Sequence, residues 1–107
     1  DEDLNRLFRA VADTTRRAII DELNKRDGQS LFELFARVSD VHGIHQTRQG
    51  FSRHLSVLEA AGIVSIRWQG TTKLHSLEAA PLARLRSGWL SRFSASQDPR
   101  SGIGEPK

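Results

Sequence analysis

Residues 46–62 constrain this chain more than any other stretch. They read Gln-Thr-Arg-Gln-Gly-Phe-Ser-Arg-His-Leu-Ser-Val-Leu-Glu-Ala-Ala-Gly. At about 3.6 residues per turn, Phe51, Leu55 and Leu58 form one apolar row with Ala61 at its end, while Arg48, Gln49, Ser52 and Arg53 stand together on another side. Long forked donors beside short hydroxyls are the side chains that pair with guanine and adenine edges and with phosphate oxygens. An apolar stripe behind and a hydrogen-bonding face in front predict a helix that lies in the DNA major groove.

The surrounding chain supplies what such a helix packs on. Leu4, Leu7, Phe8, Val11 and Ala12 follow an amphipathic helical stripe. Asp13 is an N-cap candidate for a second helix, from about Thr14 to Lys25, with Ala18, Ile19 and Leu23 inward. Asp27-Gly28 breaks the chain, and Ser30-Leu-Phe-Glu33 reads as a capping box opening a third helix with Leu31, Leu34, Phe35 and Val38 on one face. Residues 39–46 lack a period and predict a turn or loop. Gly62 closes the next helix as a C′ glycine. Ile63, Ser65 and Arg67 then alternate with Val64, Ile66 and Trp68, the two-residue period of a strand, and Lys73 to Leu77 returns after a turn at Gln69-Gly70-Thr71. Leu82, Leu85, Trp89 and Phe93 mark one last helix, starting near Pro81. Ser, Gly, Pro and charge fill the chain from Ser94 onward, which predicts a flexible tail over 94–107. The expected fold is mainly α with a small β-hairpin: a winged helix-turn-helix of about five helices and a two-stranded wing over residues 1–93.

Composition bounds the chemistry. The chain's 107 residues suffice for one domain. Sixteen Lys and Arg against thirteen Asp and Glu give a net charge of +3, a mild excess whose placement matters more. Between Arg48 and Lys73 lie four cationic residues (Arg48, Arg53, Arg67 and Lys73) and one acid, Glu59. Cysteine is absent, which excludes disulfides and thiolate metal sites. Neither a bilayer-length apolar run nor a signal peptide is visible, so a cytoplasmic location is expected. The sequence carries no Gly-rich phosphate loop, no Ser/His/Asp grouping and no zinc-ligand set, so an enzyme is not expected.

At this point the chain resembles a known family. Residues 7–23, Leu-Phe-Arg-Ala-Val-Ala-Asp-Thr-Thr-Arg-Arg-Ala-Ile-Ile-Asp-Glu-Leu, are similar to the opening signature of the ArsR/SmtB repressors. Residues 52–64, Ser-Arg-His-Leu-Ser-Val-Leu-Glu-Ala-Ala-Gly-Ile-Val, resemble the same family's Ser-x-His-Leu-x-Val-Leu-x-x-Ala-Gly-Leu-Val, and Arg67 to Leu77 fits its wing. The resemblance covers residues 4–90 and implies a homodimeric winged-helix transcriptional regulator, usually a repressor, dimerised through its first and last helices. Three departures stand out. Thr14 replaces a usual proline, the span from Glu33 to Ser52 is several residues longer than usual, and Leu34-Phe35-Ala36-Arg37 stands where metal-sensing members carry Cys-x-Cys. A metal site and a cofactor are therefore not predicted.

The competing readings are specific. Arg48, Gln49, Ser52 and Arg53 as a merely solvated face is disfavoured, because surface helices prefer Lys and Glu, and neither occurs between Gln46 and Leu58. Within the DNA reading, Arg48 and Gln49 are the base readers, Thr47 caps the helix and touches phosphate, and Arg53 serves either purpose. Gly50 allows close approach to DNA, marks a helix starting only at Phe51, or clears a tight helix crossing. Arg67, Gln69 and Lys73, with Thr71 and Thr72, suit phosphate contact from the wing, while Trp68 is expected to pack the wing onto the core. Leu4, Leu7, Phe8, Leu85, Trp89 and Phe93 are assigned to the subunit interface, with monomer core the close alternative for Trp89 and Phe93. His54 is expected to pack against the second helix. The alternatives in function are a winged-helix protein-interaction module without DNA, and a metal-responsive repressor built on His42, His45 and His75. The leading expectation is a homodimer binding double-stranded DNA at an inverted repeat.

Overall fold

Every helix start in the first half of the chain is marked by a side chain that closes a free backbone donor. The computed structural model describes residues 1–93, so the predicted tail lies outside the described residues. Helix α1 (Glu2–Val11) begins where the Asp1 carboxylate accepts from the Leu4 N–H at 2.8 Å. Helix α2 (Thr14–Lys25) begins where Asp13 accepts from the Arg16 N–H at 3.1 Å. In α3 (Leu31–His42), Ser30 Oγ accepts from the Glu33 N–H and Glu33 accepts in return from the Ser30 N–H, the predicted capping box. Helix α4 (Arg48–Ala60) starts from Thr47, whose hydroxyl accepts from the Gly50 N–H at 3.0 Å. Each cap of this kind contributes about 1 kcal/mol.

The α4 chain reverses at Gly62, held at φ +77°. Strands β1 (Val64–Gln69) and β2 (Thr72–Leu77) then pair antiparallel, with Val64 opposite Leu77 and Gln69 opposite Thr72. Helix α5 (Ala79–Ser87) and a 3₁₀ helix (Trp89–Phe93) complete the described residues. Helices α2, α3 and α4 pack on one another, and α1 lies between α2 and α5. Ile19, Leu23, Leu34, Val38, Phe51, Leu55, Leu58 and Ile63 are almost wholly removed from solvent. At about 1.5–3 kcal/mol for each large apolar side chain, this cluster dominates the stability. Phe51 also meets Phe35 edge-on at 5.3 Å between ring centres.

The structure departs from the sequence reading in four places. Residues 39–42, expected in a loop, continue α3 by a turn, and the connection to α4 is only residues 43–47. The added turn takes up length that was expected to enlarge the turn of the helix-turn-helix. It is invisible to an apolar pattern because its inward contact is polar: His42 Nε2 lies 2.9 Å from the buried Glu22 carboxylate on α2, and Val41 faces solvent. Burial pushes the Glu22 carboxyl up, but hydrogen bonds from Lys25 and His42 outweigh it and hold the group below its ordinary range. The single last helix is two elements. The backbone leaves α5 at Gly88, where a Cβ would stand 2.7 Å from the Arg84 carbonyl oxygen, so the stripe through Trp89 and Phe93 does not continue one rod.

The third departure concerns the wing's foot. Gln29, in what read as a break, exchanges backbone hydrogen bonds with His75 of β2 at 3.1 and 2.7 Å, an isolated antiparallel bridge beside the hairpin. The Asp27 carboxylate accepts from the Leu77 N–H at 3.0 Å, and the wing is thus fastened to the α2–α3 connection. Finally, Trp68 does not pack the wing onto the core; it is 63% exposed. Ile66, two residues earlier on the same strand face, takes that packing position.

Candidate nucleic-acid interface

Helix α4 divides its side chains cleanly. Phe51, Leu55 and Leu58 are buried, while Arg48, Gln49, Ser52, Arg53 and Ser56 are exposed. Those five residues, with Leu31 at the start of α3, line one open groove on the molecular surface. The structure thereby brings together on one helix face all four residues read from the sequence, and adds Ser56, one turn beyond Ser52. Its signal was present in the spacing, since Ser52 and Ser56 are four apart on the same row. Among the described residues neither Arg48 nor Arg53 sits in an ion pair, so both guanidinium groups remain free to meet an anion.

Two local features hold that face open. Thr47 acts as the cap, and the helix starts at Arg48 rather than at Phe51, which puts Arg48 and Gln49 in its first turn, where backbone donors also point outward. Gly50 is the residue whose N–H the cap holds. A Cβ there would lie 3.0 Å from Thr47 Oγ1 and 3.3 Å from Gln46 Oε1, so the glycine makes room for the cap itself. Gln46 is fixed in turn by donating to Thr15 Oγ1 on α2 at 3.0 Å.

Behind the open face, His54 anchors α4. Arg16 of α2 donates through one terminal nitrogen to His54 Nδ1 at 3.0 Å. A guanidinium has donors only, so Nδ1 is the acceptor in this contact. The same guanidinium donates to the Ala10 and Arg9 carbonyl oxygens at 2.7 and 2.9 Å, tying the end of α1 to the middle of α4. His54 thus packs against the second helix as expected, with Arg16 as its partner. The other histidines lie apart. His42 contacts Glu22, His45 Nδ1 is 3.1 Å from Ser39 Oγ, and His75 is buried, its Nδ1 2.9 Å from the Gln29 carbonyl oxygen. No group of three metal-ligating side chains gathers among the described residues.

The wing residues are exposed but do not share one face. Arg67 lies opposite Leu74, and Trp68 opposite Lys73, so the two cations occupy opposite sides of the ribbon. Arg67 leans back on the α2–α3 connection, where a Cβ on Gly28 would be 2.7 Å from its guanidinium. Lys73 reaches toward α4, with Nζ 3.8 Å from Glu59. Gln69 is exposed at the last rung before the turn.

The six apolar residues assigned to a subunit contact also divide. Leu7 and Leu85 belong to the protomer's own core and are corrected to that role. Leu4 and Phe8 stay half-buried, and Trp89 and Phe93 stay exposed. Phe8 and Trp89 meet edge-on at 6.0 Å, and Trp89 lies 4.9 Å from Phe93, so α1 and the 3₁₀ helix share one apolar face with Leu90 beside it.

Comparison with known proteins decides the kinship. The helix-turn-helix transcriptional regulator YuzN of Bacillus subtilis (strain 168) is 39% identical over 84 residues, which span 78% of this chain and 91% of the relative. An ArsR-like transcriptional regulator from Rhodococcus sp. RHA1 superposes with a TM-score of 0.69 at 30% identity, over 95% of this chain and 89% of its own. The chain belongs to the ArsR family. No family model matches this ArsR chain. A homodimeric winged helix-turn-helix DNA-binding domain from Mycobacterium bovis, 22% identical with a TM-score of 0.63, shares the fold over 90% of this chain and 81% of its own. The relatives of this ArsR protein are transcriptional regulators rather than enzymes, and no helix among its described residues is long and apolar enough to cross a membrane.

Proposed function

We propose that two copies of this ArsR-family chain bind an inverted-repeat operator as a transcriptional repressor, each placing α4 in the major groove and the hairpin over residues 63–77 against the flanking backbone. The observation that carries this reading is the open groove on α4, where Arg48, Gln49, Ser52 and Arg53 converge without competing carboxylates. Arg48 and Gln49, on the first turn, are the base readers, since a bidentate arginine selects guanine and a glutamine amide selects adenine. Thr47, Ser52, Arg67, Gln69 and Lys73 serve phosphate contact, which sets position and register rather than sequence. Arg53 extends the face by one turn. The partner copy covers the apolar face of Leu4, Phe8, Trp89 and Phe93, and the Mycobacterium bovis homodimer supports a twofold assembly of this fold. A symmetric pair presents two recognition helices about 34 Å apart, one duplex turn.

Hydroxyl-radical footprinting of the DNA upstream of the chain's own gene tests this reading. The expected pattern is two protected half-sites of opposite orientation, separated by about one helical turn. A single protected half-site, or uniform weak protection of every sequence at about 100 mM salt, defeats the operator reading.

A further inference from the structure

The indole at the wing tip is exposed and joins no aromatic pair among the described residues. Trp68 lies one rung before the turn pair Gln69–Thr72, and it is 63% exposed, although Ile66 on the same face packs on the core. Directly across the ribbon stands Lys73, which reaches Glu59 on α4, so this side of the hairpin is continuous with the row Ser52, Ser56 and Glu59 of that helix. Residues 64–77 carry Arg67, Lys73 and His75 but no carboxylate. Gln69, Thr71 and Thr72 add exposed amide and hydroxyl groups around the turn.

We propose that Trp68 is a duplex-contacting residue, which inserts its ring edge into the minor groove beside the sequence read by α4. The inference rests on the DNA-binding reading above and assigns it a residue that the sequence had placed in the core. The chemistry fits a duplex on three counts. The groove walls are deoxyribose carbons, a surface an indole covers favourably. The rims are phosphates, which suit Lys73 and Arg67 on either side of the ribbon. At A·T pairs the groove floor offers the indole N–H acceptors alone, the base N3 and O2 atoms. A protein partner fits less well, because a carboxylate-free hairpin ringed by cations and hydroxyls offers little besides one aromatic ring.

The test titrates the full chain with a mixed-sequence duplex of about 30 base pairs, three helical turns, in low salt, and compares the wild type with W68F and W68A. Duplex is expected to quench part of the wild-type tryptophan emission, and that part disappears in W68F, where Trp89 remains. W68A is expected to bind about tenfold more weakly, and W68F within about threefold of wild type, with both thermal midpoints unchanged because the side chain is exposed. Equal affinity of W68A and wild type, or the same quenching in W68F, overturns the assignment while leaving the DNA reading intact. A concentration-dependent emission change that is present in the wild type, lost in W68F and insensitive to duplex assigns the ring to a second copy and also overturns it. A wild type that ignores duplex removes both readings together.

Discussion

Two of the open faces among the described residues differ in kind. On α4, arginine, glutamine and serine side chains stand free around a groove. On α1 and the 3₁₀ helix, Trp89, Leu90 and Phe93 are exposed and Leu4 and Phe8 are half-buried beside them. The first face suits an anion and is governed by ionic strength; the second suits another apolar surface and is governed by buried area. The proposed function thus gives one small domain a salt-sensitive and a salt-insensitive surface, and the Arg16 guanidinium spans from the end of α1 to His54 on α4, linking the elements behind them.

That contrast is open to direct attack. Replacing Trp89 with alanine is expected to weaken self-association by about 2–4 kcal/mol, the range of an aromatic interface anchor, with nearly the same loss at low and high salt. Analytical ultracentrifugation at two ionic strengths checks it. A dimer undisturbed by the substitution, or one that dissociates with added salt, breaks the division between the faces. A smaller effect isolates the scaffold from both surfaces. Glu22→Gln keeps the shape but removes the buried charge held by Lys25 and His42, and is expected to lower stability by about 1 kcal/mol at neutral pH. The folded state holds Glu22 ionised to lower pH than the unfolded chain, whose ordinary value is 4.5. Its contribution is therefore present above about pH 4.5 and is lost as pH falls through the lower folded value. Chemical denaturation from pH 7 to pH 3 is expected to show a shallower acid loss in the variant, with duplex affinity at neutral pH unchanged. An identical acid profile for the two proteins removes Glu22 from the account.

Much of this architecture was legible because its elements obey simple periods. The N-cap at Asp13, the Ser30/Glu33 box and the Thr47 cap mark helix starts by local hydrogen bonding, which a sequence displays directly. The row Phe51, Leu55, Leu58 set the buried side of α4, and the outward quartet followed by geometry. What was not legible depended on contacts between distant residues. The last turn of α3 rests on a His42–Glu22 pair 20 residues apart, and the wing's attachment rests on Gln29 and His75, 46 apart. An apolar pattern has no means of registering a polar contact across such a span. Trp68 failed for a related reason, because alternation gives the face of a strand but not how far along that face the core extends. Gly88 carried a signal that the helical stripe through Leu85, Trp89 and Phe93 overrode.

The proposed repressor requires the free arginines of α4 to meet phosphate and base together. The most direct measurement is the affinity of the wild type and of an Arg48→Ala/Arg53→Ala double variant for one operator duplex, followed between about 50 and 200 mM salt. The account predicts a variant that still dimerises, binds at least about 2 kcal/mol more weakly, and shows a shallower slope of log affinity against log salt. A variant with the same affinity and the same slope as the wild type contradicts it.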